Sequence, residues 1–175
     1  MLRLERHSFA WTNLGNVLRE LEDLEEATKC HRRALSLTPH RPRANYNLAV
    51  TLQTAEQHEE AQRYYELAIE HHRKEPQQGF DVSRAHSNLG VTHQAQGRLD
   101  EAARSFEEAL ALSPSMRSAS LNLCNVKLPL SGYEEAIRCF DALLARDGDF
   151  DKAVSSAAGV HHLAQNLEKA SELYR

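Results

Sequence analysis

Four asparagines, Asn13, Asn47, Asn88 and Asn122, stand 34, 41 and 34 residues apart, each followed by a leucine. One further step of 34 lands on Ser156. Asparagine costs a helix interior roughly 0.5 kcal/mol relative to alanine, so its return at one repeating place asks for a reason. An amide offers two N–H donors and an acceptor oxygen, which suits gripping the main chain of a polypeptide without reading its side chains. The same amides could instead bond within or between neighbouring helices. Four residues before three of these positions stand Arg43, Arg84 and Lys152, and directly before three of them stand Thr12, Tyr46 and Ser87. A cation in the first turn of a helix opposes its dipole by roughly 0.3–1 kcal/mol. A mildly acidic ligand would justify that cost, and solvated surface charge accounts for it equally.

Other chemistry is poorly served. The ten histidines include two adjacent pairs, His71-His72 and His161-His162, whose members point to different faces of a helix. His86 and His93 could share a face, but no third ligand stands near them, so no metal and no cofactor is expected. His31, His93 and His161 fall where apolar residues otherwise recur and read as packed histidines. No Gly-rich phosphate loop, nucleophile elbow or convergent acid–base pair is present, and no catalytic residue is assigned. The three cysteines, Cys30, Cys124 and Cys139, form no CxxC pair. They read as buried or half-buried thiols in a reducing compartment, cytoplasm by default, with Cys124 inert in a tight slot.

Composition narrows the class further. Apolar residues are 41% and charged residues 26% of 175, while glycine (7) and proline (5) are scarce, as suits a helical chain packed through alanine and leucine. A net charge of −4 argues against general nucleic-acid binding, which needs many cationic phosphate contacts. No apolar run reaches the roughly 18 residues of a membrane span, and the N-terminus lacks the apolar stretch of a secretory signal.

The elements that must position the asparagines emerge when the chain is slid against itself. Units starting at Ser8, Pro42, Ser83, Arg117 and Asp151 align Ala10, Ala44, Ala85, Ala119 and Ala153 in one column, and Ala27, Ala61, Ala102, Ala136 and Ala170 in another. A small-residue column reads Gly15, Ala49, Gly90, Cys124 and Ala158, and a large-ring column His31, Tyr65, Phe106, Phe140 and Tyr174. Apolar spacing inside each unit follows the three-and-four step of a helix stripe, twice, with a break such as Gln96-Gly97-Arg98 between. Acids precede the second alanine, as at Glu59-Glu60 and Asp100-Glu101, where carboxylates complement the dipole of a starting helix. Pro39 and Pro114 stop second helices, and Pro129 should shorten or kink a first one. The units are therefore residues 8–41, 42–82, 83–116, 117–150 and 151–175, with 1–7 a leader or the tail of a preceding unit. The second unit carries seven extra residues around 72–80. Its second helix should run to about Glu75, with Asp81 or Ser83 capping the next and Phe80 tucked against the stack.

Trp11-x2-Leu14-Gly15-x2-Leu18, with Ala27-x3-His31 and Pro39, resembles the tetratricopeptide signature, and residues 83–116 resemble it through Leu89-Gly90, Ala102, Phe106 and Pro114. The resemblance implies an all-α, right-handed superhelical solenoid of antiparallel helix pairs whose first helices line a concave groove. It further implies a non-enzymatic scaffold that binds an extended peptide or a partner helix through Asn13, Asn47, Asn88, Asn122, Arg43, Arg84, Tyr46 and Ser87. The asparagine ladder is also similar to the repeat arm of O-linked N-acetylglucosamine transferases, which would make the chain a substrate-recruiting arm of a larger enzyme. A chaperone-tail clamp is disfavoured because Thr12, Tyr46 and Ser87 occupy inner positions without lysine. Both ends look cut, and uncapped terminal units would allow end-to-end self-association.

Overall fold

The computed structural model describes residues 2–148 and 150–173, with side chains from residue 7 onward except at 149, 167 and 171. Ten α-helices follow one another: α1 (Leu2–Glu20), α2 (Leu24–Leu37), α3 (Pro42–Thr54), α4 (His58–Lys74), α5 (Val82–Ala95), α6 (Leu99–Leu112), α7 (Arg117–Ser131), α8 (Tyr133–Arg146), α9 (Asp151–Leu163) and α10 (Leu167–Leu173). Each helix packs on the next in chain order, as expected when a single hairpin cannot bury its stripe alone.

Alanine and glycine set the spacing inside each pair. Ala27, Ala61, Ala102 and Ala136 are wholly buried. A Cβ placed on Gly90 would lie 2.6 Å from the Phe106 ring, and one on Gly15 would lie 2.7 Å from the His31 ring. The missing methyl is what admits the ring. The large-ring column is thus the plug of each pair, with Tyr65, Phe106 and Phe140 fully covered. Tyr174 of that column lies outside the described residues. His31 occupies the slot with neither ring nitrogen hydrogen-bonded. His93 and His161 are buried as well.

Turns inside the pairs reuse one solution. Glu22, Glu56, Gly97 and Gln165 take up left-handed φ values of 59–73°, and the next N–H reaches back to the first helix, as Arg98 does to the His93 carbonyl (2.9 Å). This is a Schellman-type ending, which glycine adopts without Cβ strain. The fourth unit departs from it. Pro129 does not shorten α7, which continues to Ser131, and the left-handed residue moves on to Gly132 (φ 83°). Pro129 has no N–H to give to the carbonyl of Asn125, so α7 forgoes one bond there and ends two residues later at Ser131.

Two further expectations change. Residues 2–7, read as the end of a preceding unit, continue into α1 without a break. Cys124 is not a free thiol: it is bonded to Cys139 of α8, with Cα atoms 5.4 Å apart. The two lie in different sequence columns, and only the antiparallel packing of α7 on α8 sets them face to face. Cys30 is free and buried, and burial raises its thiol pKa.

The backbones of neighbouring first helices approach closely across units (α1 with α3, α3 with α5, α5 with α7, α7 with α9), whereas among the described residues those of successive second helices stay further apart, α2 and α4 being bridged by the long side chains of Arg32 and Glu60 (2.8 Å). The stack therefore bends toward its first helices, and these line its inner, concave side.

Candidate functional site

The inner side is built from one face of α1, α3, α5, α7 and α9. Three adjoining hollows run along it, sharing walls. One of about 240 Å³ lies between Phe9, Thr12, Arg43 and Gln78. The next, of about 330 Å³, is lined by Asn16, Arg43, Tyr46, Asn47, Phe80 and Arg84. The third, of about 370 Å³, lies between Asp81, Arg84, Ser87, Asn88 and Ser118.

Of the four asparagines, Asn47 and Asn88 line these hollows. Asn13 is exposed, and Asn47, Asn88 and Asn122 are half-buried. Of the two uses open to the amides, bonding between helices occurs at Asn88 alone, whose Nδ2 donates to Tyr46 Oη (3.1 Å). Among the described residues the side chains of Asn13, Asn47 and Asn122 have no partner. Their main chain is well satisfied: Thr51 and Thr92 hydroxyls donate to the carbonyls of Asn47 (3.1 Å) and Asn88 (2.9 Å). A buried or half-buried amide without a partner is what a ligand's main chain would satisfy.

The remaining candidates divide. Tyr46 is a floor residue, its ring edge-on to Tyr65 and to Phe80, each at 5.8 Å. Ser87 is buried beneath Asn88, so it shapes the hollow more than it offers a hydroxyl. Arg84 is exposed and makes no hydrogen bond or ion pair among the described residues. Arg43 was read from the sequence as a ligand contact, but its guanidinium donates to the Gly79 carbonyl (2.5 Å) and its own N–H to Gln77 Oε1 (3.2 Å). It holds the long connection after α4, a contact made across 36 residues of chain that periodicity within one unit does not reveal.

That connection is the part of the site least visible in the sequence. Helix α4 ends at Lys74, and Asp81 caps α5 by accepting from the Ser83 N–H (3.1 Å). Between them Phe80 turns inward against Tyr46 and His72, so it is tucked against the stack as expected. The apolar Phe80 beside Gly79 was the only signal of it. Asn16, one place further along α1 than the ladder face, also lines the groove, and its Oδ1 is enclosed without a partner.

Charge differs between α3, α5 and α7 on the inner side and α6 behind them. Helices α3, α5 and α7 contain Arg43, Arg84, Arg117 and Lys127 and not one acid, whereas α6 sets Asp100, Glu101, Glu107 and Glu108 against the single Arg104. Arg117 is spent on Asp147 (2.7 Å) and lies over the Phe150 ring. Against these cations stands the Asp81 carboxylate, which lines two of the hollows, so the groove keeps a small cationic excess on an acidic chain. Among the described residues no group of three or more metal-ligating side chains occurs, and no helix is long and apolar enough to cross a membrane.

The comparisons with known proteins agree with this architecture. Tetratricopeptide repeat models match residues 8–41, 40–115 and 93–159. No curated protein sequence matches. Among solved structures, PilW, a type IV pilus biogenesis factor, is similar with a TM-score of 0.83 and 20% identity, over 95% of this chain and 74% of that one. Pseudomonas aeruginosa pilF is similar with a TM-score of 0.81 and 22% identity, over 98% and 75%. YrrB, described as having an unusual peptide-binding site, has a TM-score of 0.72 and 21% identity over 93% and 80%. Stacked antiparallel pairs, small residues facing ring plugs and three family matches together make this chain a member of the tetratricopeptide-repeat family, a right-handed helical solenoid.

Proposed function

We propose that this chain is a non-enzymatic scaffold that holds an extended segment of a partner protein along its inner groove. The amides of Asn13, Asn47, Asn88 and Asn122 would bond the segment's main chain. One observation carries the reading: Asn47 and Asn88 line adjoining hollows on the inner side, and among the described residues the side-chain amides of Asn13, Asn47 and Asn122 have no partner. YrrB, which shares the fold, is described as having an unusual peptide-binding site, and a fold that can take a peptide supports the assignment here. For location, the disulfide weighs against the reducing cytoplasm expected from free thiols, since such bonds persist in oxidising compartments.

Each amide-to-main-chain bond contributes about 0.5–1.5 kcal/mol. Peptides selected on the wild-type protein from a displayed library should therefore bind Asn47→Ala/Asn88→Ala/Asn122→Ala at least tenfold more weakly, with circular dichroism unchanged. Equal affinity would end the assignment.

A second surface favours self-association. Phe9, Trp11, Leu14 and Val17 are exposed on α1, and Leu21 in the turn after it. Leu14 is 45% exposed, where its counterparts Leu48, Leu89 and Leu123 are at 0%, 7% and 9% under the preceding unit. An apolar stripe of this kind marks a surface that is normally covered, and a second copy is one way to cover it.

A further inference from the structure

The seven extra residues of the second unit do not hang clear of the stack. Arg43 holds Gly79 and Gln77, the Gln77 N–H donates to His72 Nδ1 (3.2 Å), and the Phe80 ring lies against Tyr46 and His72 at 5.8 and 5.3 Å. So many tethers on so short a segment raise a fixed wall along the groove. Beyond that wall Arg84 is left exposed and unpaired. The nearest acid, Asp81, is already committed to the amide and hydroxyl of Ser83 (3.1 and 2.5 Å). Arg84 faces the 330 Å³ hollow floored by Tyr46 and Asn47, where Asn16 Oδ1 is enclosed without a donor.

We propose that the 75–81 connection and Arg84 together form a pocket for an acidic side chain of the bound segment. The guanidinium would take the carboxylate, while Asn47 and Asn16 hold the adjoining main chain. The inference rests on the groove reading above and adds the ligand's chemistry to it. Charge complementarity supports it: α3, α5 and α7 carry cations and no acid, and Arg43 and Arg84 together outnumber the Asp81 carboxylate among the pocket's lining residues. A guanidinium–carboxylate pair is charge-assisted and can be bidentate. A polypeptide fits better than a nucleic acid, because the free cations are too few for serial phosphate contacts.

The test uses the immobilised full chain and pools of nonapeptides in which one position is fixed as Glu, Gln or Lys and the rest are mixed. Glu pools should be retained at least fivefold more than Gln pools. Arg84→Gln and Phe80→Ala, the second releasing the wall, should each remove that preference. Arg104→Gln, which lowers the net charge equally on the outer layer, should keep it, and melting curves would show that all three variants fold. Equal retention of Glu and Gln pools that still drops for Asn47→Ala/Asn88→Ala would overturn the pocket and leave the groove standing. A preference for Glu that survives Arg84→Gln would also overturn it. Retention indifferent to Asn47→Ala/Asn88→Ala, or no retention of any pool, would remove the groove reading and this inference with it. Tighter retention of a ten-nucleotide oligouridylate than of the Glu pools would replace the peptide by nucleic acid.

Discussion

His31 shows how one residue can satisfy a position's shape and violate its chemistry. Its ring plugs the space over Gly15 as Phe106 plugs that over Gly90, yet both nitrogens are buried without partners. Burial pushes the imidazole down to about 4 from an ordinary value of 6.5, so the folded chain holds it neutral. Above pH 6.5 its contribution to stability is complete. As pH falls from 6.5 toward 4, the unfolded chain takes up a proton that the folded chain refuses, and up to about 3 kcal/mol is lost. His31→Phe should therefore raise stability at pH 7 by about 1–2 kcal/mol, since unpaired buried polar groups are removed. It should also flatten the loss between pH 6.5 and 4. Urea titrations at pH 7 and pH 5 read both effects, and parallel pH profiles for the two proteins would refute the neutral buried ring.

At the scale of elements, the fourth pair is held differently from its neighbours. Where the others set a small residue against a ring, α7 and α8 are also joined by the Cys124–Cys139 bond, closing a loop of 15 residues. Such closure contributes about 3 kcal/mol in the chain-entropy view. Cys139→Ala, or a reducing agent on the wild type, should lower the stability of the fold by about 2–4 kcal/mol, measured by urea unfolding with and without reductant. No change would mean that the pair stands on packing alone. The same pair tolerates Pro129 inside α7, and its shifted turn at Gly132 shows that the hairpin adjusts by one residue without losing the packing of Ala136 and Phe140.

At the scale of the whole molecule, the bend of the stack and the exposed end are linked. First-helix backbones approach across units more closely than second-helix backbones do, so each unit offers the next a buried face, and on α1 Leu14 and Val17 of that face are exposed among the described residues. If copies cover it for one another, the wild type should show a mass that rises with concentration in sedimentation equilibrium. Leu14→Glu/Val17→Glu should then stay monomeric at every concentration with its melting temperature nearly unchanged. A wild type that is monomeric throughout would dismiss self-association.

The columns of alanines, small residues and rings were legible because every unit solves one packing problem with the same side chains. Five repetitions expose that solution to simple comparison, and the all-α solenoid followed from it. What periodicity could not show are contacts that join different columns. Cys124 meets Cys139, Arg43 reaches Gly79, and Phe80 closes on Tyr46 only once antiparallel helices and a long connection bring them together. Local spacing determines which face of a helix is buried. Which residue stands opposite, and so whether an arginine is free for a ligand or spent on a loop, is decided by tertiary packing alone.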